Sequence, residues 1–309
     1  MKRTIFPWLA TSALALSALM CGTASAQSTW NLVSGSGCAQ NAVNNANFGN
    51  SWACTGAGTG GTAATAYAFS TQTGAIPLPA SSPNLQSTTA AQYANAFMSA
   101  QGTSGFGAAN RTEGLGAVAP DHAVDNNPTG SYDMIVLNFA QSVVLNQIGI
   151  GWSSTTSGAD ISVLRWTGAG APTGSATVTT GGTSALLRTG WTLVNSLADV
   201  LTTGARNTGA AASAGSSWWM ISAFNTTLNT SNNCLTNNLG GTTAETTSTS
   251  TTMAANKCDD GDDAFKLNSL KTTLTATPPP GVPEPGSLAL AGLALVGVFA
   301  SRRKVKSLF

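Results

Sequence analysis

Apolar and polar residues alternate through a central block of the chain. Ile135, Leu137 and Phe139 occupy every second position, as expected of a strand with one buried face. The segments with this pattern are 132–139, 143–152, 160–166, 190–197, 217–224 and 264–274. The last segment changes phase near Asn268, which predicts a β-bulge. Short alternating runs separated by Gly, Ser, Asn and Thr predict a mainly β fold, an antiparallel β-sandwich or jelly roll.

Outside this block the pattern is weaker. Tyr93 and Phe97 lie four residues apart within 88–99, which predicts one short amphipathic helix. Residues 27–60 are polar and rich in Gly and Asn, and they contain Cys38 and Cys54. Residues 225–256 consist almost entirely of Thr, Ser, Asn, Ala and Gly, which predicts a long surface loop.

The charge of the chain argues against nucleic acid as a partner. Charged residues make up 8% of the 309 residues, and the formal net charge is +1. Six of the 13 basic residues lie at the two ends, so the middle of the chain has seven basic and eleven acidic residues, a net charge near −4. Nucleic-acid binding needs a basic surface instead.

The first 26 residues have the three parts of a secretory signal peptide. Lys2 and Arg3 precede an apolar run, and Ala24-Ser25-Ala26 forms a small-residue cleavage site. We therefore expect export through the Sec machinery and a mature chain that starts at Gln27. The predicted organisation is a signal peptide at 1–26, a β-rich domain at 27–277 and a C-terminal segment at 278–309.

The C-terminal segment has three parts in close succession. Residues 278–285 are proline-rich and include Val282, Pro283, Glu284 and Pro285, so they should form a stiff, extended and accessible stretch. An apolar run at 286–300 follows, which is shorter than a comfortable bilayer span. The tail 301–309 begins with basic residues that would hold that end in the cytoplasm, namely Arg302, Arg303 and Lys304.

This three-part tail resembles the PEP-CTERM sorting signal of Gram-negative bacteria. The resemblance implies that an exosortase, a membrane cysteine protease, recognises Pro283-Glu284-Pro285. It further implies transient anchoring in the inner membrane, followed by release to the outer surface or the extracellular space, in a species that makes exopolysaccharide. The stretch 122–166 also resembles β-rich domains of exosortase-dependent surface proteins that have no assigned reaction.

Four cysteines remain in the expected mature chain. They are Cys38, Cys54, Cys234 and Cys258. An even number of cysteines in an exported chain predicts two disulfides, with three possible connectivities. We favour the local pairs, Cys38–Cys54 and Cys234–Cys258, because each would close a loop in a polar region.

Two groups of aspartates are candidate calcium ligands, since Ca²⁺ prefers oxygen donors. The first is the acidic run formed by Asp259, Asp260, Asp262 and Asp263, which departs from the EF-hand spacing. The second comprises Asp121, Asp125 and Asp133, at the start of the central strand block. The competing interpretation of the acidic run is a solvated turn that leads into the last strand. No cofactor other than calcium is expected.

Trp218 and Trp219 are the candidate ligand-binding residues, because tryptophan rings stack on sugars and neighbouring residues of a strand point to opposite faces. The single histidine, His122, is more typical of a structural hydrogen-bonding group than of a catalytic base. We therefore expect a non-enzymatic component of an exopolysaccharide or biofilm matrix. A carbohydrate-binding adhesin is the alternative, and a secreted hydrolase is a third hypothesis.

Overall fold

The computed structural model describes about half of the chain, all of it before residue 276. The described residues are 26–41, 49–58, 61–72, 92–110, 113, 122–126, 132–154, 158–172, 190–225, 229, 233–235, 258 and 263–275. Residues 1–25 of the predicted signal peptide, the sorting segment and most of the loop 225–256 lie outside them. The chain divides into two units, Met1–Thr275 and Ala276–Phe309, and every described residue belongs to the first.

The described residues form strands and one short 3₁₀ turn at Gly102–Ser104. The strands are β1 (Gln27–Asn31), β2 (Val33–Ser34), β3 (Gly37–Gln40), β4 (Ser51–Thr55), β5 (Ala63–Gln72), β6 (Gln92–Asn95), β7 (Phe97–Ala100), β8 (Phe106–Ala109), β9 (Val124–Asp125), β10 (Asp133–Ser153), β11 (Ala159–Trp166), β12 (Trp191–Val200), β13 (Arg206–Asn207), β14 (Ser216–Ala223) and β15 (Ala264–Leu274). Within the described residues no helix has the length and apolar character needed to cross a membrane.

The strands belong to one hydrogen-bonded sheet that is organised around β10. The main path runs β12-β11-β14-β10-β5-β4-β3-β2. Strands β1, β8 and β9 join through β15, which itself pairs with β10. The pairs are antiparallel except for β2 and β3, which run parallel. The prediction of a mainly β, antiparallel fold is therefore confirmed.

Strand β10 is long enough to belong to both halves of the sheet. Its first part, up to Phe139, pairs with β5 and β14, and its second part, from Val143, pairs mainly with β15. The three residues between these parts are exposed, and the register with β14 shifts across them. We call the part containing β5 and β14 the first half and the part containing β15 the second half.

The two halves enclose one main core. Ile135 and Leu137 from the first half and Leu267 and Leu270 from the second half belong to the same buried cluster. The Trp30 ring of β1 lies 5.2 Å from the Phe139 ring in an edge-on contact. Burial of each such side chain contributes about 1.5–3 kcal/mol, so the contact between the halves is a major source of stability.

The opposite face of the first half is also covered. We call its buried residues the outer cluster: Phe69, Met134, Val136, Leu164, Trp191, Trp218 and Met220. Strands of the first half are therefore apolar on both faces. This explains why Met134 and Val136 alternate with Ile135 and Leu137 without an intervening polar residue.

The structure confirms most of the predicted strands and corrects one element. Strands β10, β11, β12, β14 and β15 coincide with the predicted alternating segments, and two of those segments merge into β10. The bulge predicted near Asn268 is present, because Gly149 and Ile150 pair with Ser269 and Leu267. The predicted helix at 88–99 is wrong: residues 92–95 and 97–100 form β6 and β7.

Both disulfides join the locally spaced cysteines that the sequence favoured. Cys38 of β3 lies directly opposite Cys54 of β4, with their Cα atoms 4.1 Å apart. Cys234 is bonded to Cys258, which is fully buried against Ala198 and Phe224. Next to Cys234, Leu235 forms a parallel bridge with Leu197 of β12. The second disulfide thus attaches part of the predicted 225–256 loop to the sheet.

Replacing Cys38 and Cys54 by alanine should lower the free energy of unfolding by about 3 kcal/mol, because the unfolded chain regains the freedom of the opened loop. The Cys234→Ala, Cys258→Ala pair should have a similar effect, since its loop is of comparable length. Urea unfolding followed by tryptophan fluorescence measures both. After full reduction, the three proteins should unfold at similar urea concentrations. Equal midpoints under oxidising conditions would contradict the prediction.

Candidate functional site

Three carboxylates meet where several strands begin or end. Asp133 is the first residue of β10, Asp125 is the last residue of β9, and Glu113 lies in a turn after β8. One carboxylate oxygen of each lies within 4.8 Å of those of the other two. We call these three residues the acidic trio.

Local hydrogen bonds and close backbone packing position the acidic trio. Glu113 accepts a hydrogen bond from the Asn110 backbone N–H at 3.1 Å, and its own N–H donates to Asn110 Oδ1 at 3.0 Å. This reciprocal pair resembles a capping box. Strand β8 passes so close to the segment before β9 that a Cβ atom on Gly107 would overlap the His122 carbonyl. Glycine is therefore required for this approach.

Asp133 is the most deeply buried member of the acidic trio. It has no exposed surface, and neither of its carboxylate oxygens makes a hydrogen bond of ordinary geometry within the described residues. Burial raises the pKa of Asp133 well above its usual range, and the negative charges of Asp125 and Glu113 raise it further. The polar side chains of Ser70 and Asn110 act in the opposite direction and lower that pKa.

This arrangement supplies the donors of a hard-cation site. Calcium–oxygen bonds are about 2.3–2.6 Å long, so two oxygens on one Ca²⁺ ion lie at most about 5 Å apart. The oxygens of the acidic trio satisfy this limit. Asp125 and Asp133 are buried and Glu113 is partly buried, and three carboxylates this close together can be accommodated in two ways, by a bound cation or by a shared proton.

A second polar group, which we call the interstrand network, lies beside the acidic trio. The Asn126 Nδ2 group donates to Asp263 Oδ2 at 3.0 Å and to the Phe224 carbonyl at 3.1 Å. In return Asn126 Oδ1 accepts from the Asp263 N–H at 2.9 Å. Asp263 Oδ1 accepts from the Asp160 N–H at 2.6 Å. Asn126 and Asp263 therefore link β9, β11, β14 and β15.

The interstrand network continues to the end of β12. Asp160 Oδ1 accepts from the Asp199 N–H at 3.0 Å, and Asp199 has a φ of 52°. Arg206 donates to the carbonyls of Asp199 and Leu235 at 3.2 and 3.0 Å. Burial lowers the pKa of Arg206, while Asp199 and Asp160 act to raise it. This arginine thus balances part of the buried negative charge.

The structure separates the two predicted calcium groups. Asp125 and Asp133 of the second group do come together, whereas Asp121 lies outside the described residues. Of the first group, only Asp263 is described, and it serves the interstrand network; Asp259, Asp260 and Asp262 lie outside the described residues. The calcium role of that group stays a prediction. Sequence reasoning missed Glu113, although the Asn-x-x-Glu spacing from Asn110 was a usable signal.

The two candidate sugar-binding tryptophans are both buried. Trp219 lies in the main core, and its Nε1 donates to the Val143 and Ser216 carbonyls. Trp218 points to the opposite face, as expected, where its ring stacks on Tyr67 in the outer cluster at 6.4 Å. Trp218 is 8% exposed. Neither ring offers the open face that sugar stacking requires, so the ligand role of this pair stays a prediction without structural support.

Asn126→Ala should lower the free energy of unfolding by about 3 kcal/mol. The substitution removes three hydrogen bonds and leaves buried partners unsatisfied. Asn207→Ala is the matched control, because the exposed Asn207 side chain accepts a solvent-accessible hydrogen bond from Gln147, and its loss should cost about 0.5 kcal/mol or less. Urea unfolding measures both. Equal losses in the two variants would show that the interstrand network carries no special stability.

Asp133→Asn should become more stable than wild type as pH rises in metal-free buffer. The folded-state pKa of Asp133 lies above the unfolded value near 3.8. Between these two values the folded protein binds more protons than the unfolded chain, so its stability falls with rising pH. The asparagine variant lacks this loss. The gap between its free energy of unfolding and that of wild type should therefore widen from about pH 4 upward. Urea unfolding at several pH values in EDTA measures it; a constant gap would contradict the prediction.

Comparison with known proteins identifies the C-terminal segment. Residues 281–304 match the family model described as the PEP-CTERM protein-sorting motif. This match contains the predicted sorting residues 282–285 and the basic residues 302–304. No curated protein and no solved structure matches the chain. The chain therefore carries a PEP-CTERM protein-sorting motif, which implies an exported protein whose sorting depends on an exosortase.

Proposed function

We propose that the mature protein is a non-catalytic structural component of the extracellular matrix or outer surface of the cell that exports it. The observation that carries this proposal is the sorting motif at 281–304 on a chain whose described part is a disulfide-bonded β-sandwich. Disulfides persist in oxidising, extracytoplasmic compartments. Both features suit a chain that works outside the cytoplasm.

The use of the polar side chains supports a structural role. Asn126, Asp160 and Asp263 are buried, and they bond strands to one another. Among the residues whose side chains the structure describes, Leu235 is the one large apolar residue that is exposed, at 40%. A row of exposed aromatic rings, as an adhesin would use, is therefore not present in that part of the chain. Low charge with abundant Ser, Thr and Asn suits a hydrated polysaccharide.

The acidic trio is also better suited to structure than to hydrolysis. A glycosidase places two carboxylates on either side of a substrate bond, about 5–10 Å apart. Asp133 is completely buried, and its nearest charged neighbours, Asp125 and Glu113, lie closer than this spacing. The burial of Asp133 and the short spacing of the three carboxylates support the proposal that the protein catalyses no reaction.

The test follows the protein through sorting in its own host. Wild type should be recovered from the washed exopolysaccharide fraction as a chain that starts at Gln27 and lacks the residues after the Pro283-Glu284-Pro285 segment. Replacing Pro283, Glu284 and Pro285 by alanine should remove the recognised segment, so that the protein keeps its tail and stays with the inner membrane. Intact mass spectrometry of each fraction measures both the ends and the distribution.

The matched control replaces Pro278, Pro279 and Pro280 by alanine. These residues lie just outside the matched motif, so this variant should be sorted like wild type. Mature wild-type protein in the culture medium alone, with none in the polysaccharide, would overturn the matrix role while leaving sorting intact. A tail still present on surface material would overturn sorting.

A further inference from the structure

We propose that Glu113, Asp125 and Asp133 bind one divalent cation, Ca²⁺ under extracellular conditions. This proposal concerns the folded domain, and it stands or falls independently of the matrix role. The turn after β8, the end of β9 and the start of β10 converge at this point, and each contributes one oxygen atom within 4.8 Å of the others. That spacing is what ligands around a single Ca²⁺ ion require.

The environment of Asp133 gives the second, independent reason. Its side chain is fully buried, and both carboxylate oxygens lie in the interior without a hydrogen bond of ordinary geometry. Buried carboxylates are normally hydrogen-bonded, paired with a cation or bound to a metal ion. The charges acting on Asp133 come from Asp125 and Glu113, and both are negative. A divalent cation supplies the positive charge that this group needs.

The donor set favours calcium over other metal ions. All three side chains are carboxylates, and hard cations such as Ca²⁺ and Mg²⁺ select oxygen ligands, whereas zinc favours nitrogen and sulfur. Magnesium usually keeps several water molecules and demands strict octahedral geometry. Calcium accepts six to eight oxygens in varied geometry. A group of three carboxylates from different segments, two of them buried and one partly buried, fits calcium better.

The position of the site predicts what the ion does. Asp133 lies opposite Ser70 of β5 in the first half, and Asp125 lies opposite Ala264 of β15 in the second half. An ion bound to both would join the two halves at the end of the sandwich. Glu113 would add the turn after β8, which Asn110 holds in place. The ion should therefore stabilise the fold as a whole.

The experiment titrates the purified protein with CaCl₂ after treatment with EDTA. Isothermal titration calorimetry at pH 7 should show one ion per chain. Saturating Ca²⁺ should raise Tm by about 5 °C, because a ligand that binds only the folded state stabilises it by mass action. Mg²⁺ should bind at least about tenfold more weakly. Equal affinity for the two ions, or no heat and no Tm change at 10 mM Ca²⁺, would overturn the proposal.

Two kinds of variant locate the ion. Asp133→Asn and Asp125→Asn keep the side-chain shape but lose the charge, and each should weaken Ca²⁺ binding at least about tenfold. The control variant replaces Asp259, Asp260 and Asp262 by asparagine, and it should bind Ca²⁺ like wild type. Loss of binding in this control, with binding retained in the other two, would assign the ion to the acidic run and overturn the proposal.

A further variant keeps the test decisive if Asp133→Asn does not fold. Glu113→Gln leaves both aspartates in place, and it should also lose the Ca²⁺-dependent rise in Tm. The competing explanation is that the acidic trio shares a proton and binds no ion. In that case Ca²⁺ would leave the Tm of wild type unchanged at pH 7. That result would overturn the proposal.

Discussion

The fold depends on the continuity of β10. This strand has 21 residues, from Asp133 to Ser153, and it pairs with β5 and β14 in its first part and with β15 in its second. The same backbone thus supplies hydrogen bonds to both halves of the sandwich. Its side chains, such as Leu137 and Ile148, lie in one core with those of β15. Strand pairing and core packing cannot form independently of each other in such an arrangement.

The buried polar groups add specificity to this apolar framework. Apolar packing is tolerant of small shifts, whereas a hydrogen bond or a buried charge requires a particular partner. Asn126 and Asp263 specify how β9 and β15 lie against β11 and β14. The acidic trio lies next to them, and Asp125 and Asn126 are adjacent residues. One end of the sandwich therefore combines strand registration with a concentration of negative charge.

The predictions from sequence succeeded where one physical signal dominated. Period-two alternation identified β10, β11, β12, β14 and β15 because their side chains are large and face a core. The same alternation in β5 relies on Ala64, Ala66 and Ala68, whose small side chains give little contrast with their neighbours. The spacing of Tyr93 and Phe97 is typical of a helix. Their segments instead form β6 and β7, because they pair with β5 and β8.

The candidate site was predictable only in part for a related reason. Asp125 and Asp133 are close in sequence and flank the start of β10, so their proximity could be inferred. Glu113 reaches them because β8 pairs with β15 next to β9, and no local pattern reveals such a contact. Likewise, alternation placed Trp218 and Trp219 on opposite faces, but it could not show that the outer cluster covers the second face.

The sharing of β10 also bears on how the domain resists damage. A sandwich assembled from two separately closed sheets can open along the plane between them, and a protease can then cut one sheet while the other remains folded. In this domain the two halves can separate only if backbone hydrogen bonds of β10 break. The described sandwich should open as a single cooperative unit, so partial opening offers few cleavage sites. Survival outside the cell, where no chaperone refolds a damaged chain, then depends on the rate of complete unfolding.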